Sequence, residues 1–161
     1  MVIAGGNSPN PEVLRALIEA GADVNAKTRY AETPLMAAAS HNPNPEVLKV
    51  LLEAGADVNS KNDFGLMPLM IAARGNTPEV LKLLLEAGTD VNSKNKDGWT
   101  PLMAAASHNT NPEALEVLIE AGADAKTKNN EGKTALDYAR ENEKLKGTGP
   151  LKLLEEKTGQ N

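Results

Sequence analysis

The most constraining feature of this 161-residue chain is that it repeats itself. A Gly-Ala-Asp or Gly-Thr-Asp string begins at Gly21, Gly55, Gly88 and Gly122, so successive copies stand 34, 33 and 34 residues apart. A second landmark keeps step with it: Thr33-Pro34-Leu35-Met36, Met67-Pro68-Leu69-Met70, Thr100-Pro101-Leu102-Met103 and Thr134-Ala135-Leu136-Asp137. Two landmarks sharing one period describe an array of small units that stack on one another, not a single closed core.

Each unit carries its own helix punctuation. In Asn44-Pro45-Glu46 the Asn suits an N-cap and the Pro the first helical position. Val47, Leu48, Leu51 and Leu52 then fall on one helical face, and Gly55 supplies the left-handed residue that ends the helix. The same plan runs from Asn10 to Gly21, from Thr77 to Gly88 and from Asn111 to Gly122. The other helix of each unit starts at the Thr-Pro pair and is short and alanine-rich, as in Ala37-Ala38-Ala39 and Ala104-Ala105-Ala106, which lets neighbouring helices approach closely. Polar stretches such as Lys94-Asn95-Lys96-Asp97-Gly98 predict tight, finger-like hairpins between units. A helix of about ten residues is marginal alone in water, so stacking must supply the stability. The expectation is an elongated, gently curved slab of five units.

Composition narrows the function. Tyr30, Phe64, Trp99 and Tyr138 are the only aromatic residues, so the core is expected to be built of Ala, Leu, Val, Ile and Met. Without cysteine there are no disulfides or thiolate metal sites. The net charge of −5 disfavours nucleic acid and anionic membrane surfaces as partners. The first ten residues have neither a basic flank nor an apolar run of secretory length, and no stretch approaches the roughly 18 apolar residues of a membrane span. A cytoplasmic location is therefore expected.

In this order, the Thr33-Pro34-Leu35 start, the alanine pair that follows, the Leu51-Leu52-Glu53-Ala54-Gly55-Ala56-Asp57-Val58-Asn59 run and the Asp97-Gly98 hairpin resemble the ankyrin repeat. The resemblance covers essentially the whole chain, with wording similar to bacterial or engineered members. It implies an all-α solenoid of stacked helix–turn–helix units with β-hairpin-like loops. The implied division is a partial first unit at 1–27, full units at 28–61, 62–94 and 95–128, and a capping unit at 129–161. Four departures stand out. Met36, Met70 and Met103 occupy the place of the family's usual His. The unit at 62–94 lacks one loop residue that the others carry, as in Asn42-Pro43-Asn44-Pro45. Ala31 stands where other units have Gly65, Gly98 and Gly132, and is strained if that site needs positive φ. Met67 replaces a capping Thr, at an expected cost of roughly 0.5–2 kcal/mol.

No chemistry emerges. Gly132-Lys133-Thr134 lacks the glycine and preceding strand of a phosphate loop, since Thr127 stands where the glycine belongs. His41 and His108 sit two units apart, roughly 20 Å at ordinary helix spacing, and cannot share a metal. Ser93 and Ala104 stand where a calcium loop would need carboxylates. Asp23, Asp57, Asp90 and Asp124 recur as turn residues; Asn25, Asn59 and Asn92 recur as residues expected to bond hairpin backbones, a ladder that Lys126 breaks. Lys27, Lys61, Lys94 and Lys128 form either a basic rail or a solvated face, the second being favoured. Neither an enzyme nor any cofactor is expected.

The resemblance implies binding through hairpin tips and the concave face of the first helices. Mapped onto this chain, these are Arg29, Tyr30, Glu32, Asp63, Phe64, Leu66, Lys96, Asp97 and Trp99 at the tips, with His41, Arg74 and His108 on the helix ends. Three of the four aromatics fall at the tips, and Tyr, Trp and Arg are enriched at binding hot spots. For Trp99 the alternative is that it braces the neighbouring unit. The leading expectation is a non-catalytic scaffold for a protein partner. The alternative is a structural segment of a longer solenoid, or an engineered scaffold without a native partner. A monomer is expected, with some scope for pairing through the N-terminal face that carries Val2 and Ile3.

Overall fold

The structure, a computed structural model, describes residues 10–41 and 44–159, the side chain of His41 excepted. Val2, Ile3, Asn42 and Pro43 lie outside the described residues. Among the described residues there are nine helices and no strand. In chain order they are α1 (Pro11–Glu19), α2 (Pro34–His41), α3 (Pro45–Glu53), α4 (Pro68–Ala73), α5 (Pro78–Glu86), α6 (Pro101–His108), α7 (Glu113–Glu120), α8 (Ala135–Glu141) and α9 (Gly149–Thr158). They form two rows. In the inner row α2, α4, α6 and α8 pack in succession; in the outer row α1, α3, α5, α7 and α9 do the same; and α2–α3, α4–α5, α6–α7 and α8–α9 pair across the rows.

The helix starts follow from side-chain caps. Asn10, Asn44 and Asn111 each accept a 3.0 Å bond from the backbone N–H of the Glu two residues on. Thr33 and Thr100 accept from Met36 N and Met103 N at 3.3 Å. Thr134 and Asp137 close a reciprocal capping box on α8. Met67 makes no cap bond, as its side chain requires; it is instead buried, and its thioether accepts from the Ser93 hydroxyl. Thr77 also leaves α5 without a side-chain cap bond, against the sequence plan. Gly21, Gly55, Gly88 and Gly122 end the outer helices with φ of 88°, 87°, 88° and 91°.

The inner helices are buried almost all round. Leu35, Ala38 and Ala39 of α2, Leu69, Ala72 and Ala73 of α4, and Leu102, Ala105 and Ala106 of α6 join one continuous core. Met36, Met70 and Met103 are also fully buried, so apolar packing occupies the sites where the family's histidine would stand. The outer helices are amphipathic: α3 buries Val47, Leu48, Val50 and Leu51 and exposes Lys49 and Glu53. α9 turns Lys152, Glu156 and Lys157 outward, and Arg140 meets Glu155 at 3.5 Å.

Ala31 does adopt the left-handed conformation, with φ of 60°, at the register position where Gly65, Gly98 and Gly132 have φ of 75°, 78° and 79°. At Gly98 the restriction is double, because a Cβ there would come within 2.7 Å of Asn130 Oδ1 on the next hairpin.

Candidate partner-binding surface

The hairpins are tight turns, each organised by one side chain. Asn62 Oδ1 accepts from Phe64 N and Leu66 N, Asn95 Oδ1 from Asp97 N and Trp99 N, and Asn129 Oδ1 from Glu131 N and Lys133 N, all within 2.8–3.0 Å. Thr28 does the same in the first hairpin with its hydroxyl, accepting from Tyr30 N and Glu32 N at 3.3 and 3.2 Å. Sequence reasoning missed these four, although they too recur in register. Consecutive hairpins are tied through the backbone: Asp63 N donates to Tyr30 O, Lys96 N to Phe64 O and Asn130 N to Asp97 O, at 3.1, 3.3 and 3.0 Å. The tips therefore form a row in which the side chains at neighbouring positions are set by one backbone network.

Three further ladders join the units. The side chains of Asn25, Asn59 and Asn92 reach across to the next unit. Their amides donate to Gly55 O, Gly88 O and Gly122 O, and their carbonyls accept from Asp57 N, Asp90 N and Asp124 N. The carboxamide thus bonds turn backbone, as expected, and the turn it plugs into is that of the next unit. The aspartates are turn residues as expected, each accepting from the backbone N–H two residues on. Between the two helices of successive pairs, Asn76 donates to Ala39 O, Asn109 to Ala73 O and Asn76 O, and Asn142 to Ala106 O and Asn109 O. Lys61 and Lys94 remain exposed, but their ammonium groups reach the carbonyls of Lys94 and Lys128 at 3.2 and 3.5 Å. That geometry makes them braces between units more than a free basic rail.

Against this frame the predicted contact residues separate into two groups. Phe64, Leu66, Arg74, Asp97, Trp99 and His108 line one groove, with about 300 Å³ of space, completed by Met70, Asn95, Thr100 and Ala104. Arg29, Tyr30, Glu32, Asp63 and Lys96 are exposed on the hairpins and do not line it. The Arg29 guanidinium lies 4.7 Å from the centre of the Tyr30 ring, a cation–π pair. The side chain of His41 lies outside the described residues. Phe64 and Tyr30 are 58% and 45% exposed, unusual for rings with free choice of burial.

Trp99 takes the bracing position that was the alternative for it, beside the groove. Its ring packs 4.5 Å from that of Tyr138 on α8 and 6.0 Å from that of His108, so it braces the joint with the next helix pair. It is only half-buried, and it also lines the groove. Tyr138 is fixed in turn: Asn129 Nδ2 donates to its hydroxyl at 2.8 Å, and burial pushes the phenol pKa up.

The described residues contain no group of three His, Asp or Glu placed to hold a metal, and no helix long and apolar enough to cross a membrane. A family model described as ankyrin repeats in three copies matches residues 69–148, and another, described as ankyrin repeats in many copies, matches residues 17–72. No curated protein matches the chain.

Proposed function

Because the chain belongs to the ankyrin repeat family, whose members generally serve as protein–protein interaction modules, we propose that it is a non-catalytic scaffold that holds a protein partner on its hairpin tips and inner-helix face. The observation that carries this reading is the groove beside Phe64, where an apolar floor meets separate charged groups at its margin. An exposed ring next to such a groove has the makings of a hot spot, because it loses water only when a partner covers it. Affinity then comes from Phe64, Leu66 and Trp99, with Tyr30 extending the stripe, and specificity from the charges of Arg29, Glu32, Asp63, Arg74, Lys96, Asp97 and His108. The test is partner capture by the immobilised chain. Tyr30→Ala combined with Phe64→Ala is expected to weaken capture by on the order of thirtyfold or more, the effect of losing about 2 kcal/mol at a hot spot. Undiminished capture would place the partner elsewhere.

One observation favours a second reading, in which the chain stacks end-on against another solenoid unit. Val13 and Leu17 on α1 are 55% and 45% exposed. Their register equivalents, Val47 and Leu51 on α3 and Val80 and Leu84 on α5, are wholly buried, and α3 and α5 each pack on the preceding outer helix. Sedimentation at rising concentration tests it: association that Val13→Glu with Leu17→Glu abolishes supports stacking, and a monomer throughout excludes pairing of two copies.

A further inference from the structure

We propose that the groove between α4, α6 and their two hairpins receives an extended peptide in which a bulky apolar side chain is flanked by a carboxylate on one side and a basic group on the other. This rests on the scaffold reading above and supplies the chemistry of the ligand.

The floor is apolar: Phe64, Leu66 and Trp99 line the space, together with the buried Met70. The charges are sorted by position. Arg74 follows the last residue of α4, and His108 is the last residue of α6, so both stand at the helix end away from the hairpins. Asp97 stands on the hairpin that precedes α6. Among the described residues the Arg74 guanidinium and the Asp97 carboxylate have no ion-pair or hydrogen-bond partner; only their backbone groups are engaged. One groove therefore offers two unpartnered charges of opposite sign with an apolar floor between them.

Separation sets the spacing of the ligand. α6 has 8 residues, so it is about 12 Å long at 1.5 Å per residue. An extended peptide advances roughly 3.3 Å per residue, which puts its acidic and basic groups about four residues apart with the apolar residue between them. The overall charge sharpens the choice. With 22 acidic and 17 basic residues the chain repels an acidic segment in general, so a carboxylate docks only where a cation such as Arg74 awaits it.

The test is selection from a displayed library of random peptides, panned on the full chain. The expected winners carry an apolar residue with an acid and a base on opposite sides. Panning on Arg74→Glu is expected to replace the acid in the motif with a base, and panning on Asp97→Lys to replace the base with an acid. A peptide selected on the parent should bind Arg74→Glu on the order of tenfold more weakly. Both side chains are exposed, and Arg74→Gln and Asp97→Asn give milder versions should either reversal disturb folding, which circular dichroism reports. No enriched motif, or a motif whose charges follow neither substitution, overturns the proposal. Should that happen while partner capture still depends on Tyr30 and Phe64, the scaffold reading survives and only the ligand chemistry falls. If both dependences vanish, both fall.

Discussion

Ala31 is held in left-handed space by a hairpin that elsewhere in the chain uses glycine. Its Cβ costs roughly 1–2 kcal/mol in that conformation, while glycine loses about 0.4–1 kcal/mol more chain entropy on folding. Ala31→Gly is therefore expected to stabilise the protein by about 0.5–1 kcal/mol, read as a higher urea midpoint with unchanged slope. Asp137 shows the opposite kind of residue effect, a favourable one that depends on acidity. The backbone N–H of Thr134, and secondly its hydroxyl, hold the Asp137 carboxyl below the usual carboxylate range. A depressed pKa stabilises the folded state above the unfolded pKa of about 4 and ceases to do so as pH falls through the lower folded value. Asp124, held down by Lys126 N–H and then by the Thr127 hydroxyl, acts in the same direction. The stability gap between the parent and Asp137→Asn should shrink as pH is lowered from about 6 to about 3; a constant gap would assign the carboxylate no part in acid sensitivity.

At the scale of the elements, stability depends on carboxamides that cross from one helix pair to the next. Asn109 is 3% exposed and donates to Ala73 O and Asn76 O while accepting from Asn111 N. Asn109→Ala leaves these buried groups unpaired and is expected to cost about 2–4 kcal/mol, whereas Asn92→Ala, at an exposed rung, should cost about 0.5–1.5 kcal/mol. Urea denaturation of the two variants side by side measures the difference. How much of this could be read beforehand depended on range. Helix pairs, their asparagine and threonine caps and the closing glycines are decided within a few residues, and they were legible as periodic strings. Asn76, Asn109 and Asn142 were not, because the carbonyls they seek lie 33 to 37 residues away. Their spacing of 33, continuing from Asn42 by 34, was the signal available. The groove was half legible for the same reason. The tip positions were marked by register, so Phe64, Leu66, Asp97 and Trp99 could be named, as could Arg74 and His108 at the helix ends. Which of them share a space is settled by packing between units, which left Arg29, Tyr30, Glu32, Asp63 and Lys96 outside it.

Among the described residues each helix pair packs mainly on its neighbours, so order is passed along the array one joint at a time. The two ends are not equivalent. α8 carries a complete capping box, whereas α1 packs on α3 and leaves Val13 and Leu17 uncovered. Denaturant is expected to loosen the α1 end first. Trp99 is the chain's single tryptophan and sits far from that end, against Tyr138 and His108. Its emission should thus change at higher urea than the far-ultraviolet ellipticity, which averages every helix; coincident curves would show all-or-none unfolding instead. The same indole distinguishes visitors. A molecule settling beside Phe64 would alter its light, and one resting on Arg29 and Tyr30 would leave it dark to the event. An unlabelled sample in a fluorimeter can therefore report which stretch of the array has been touched.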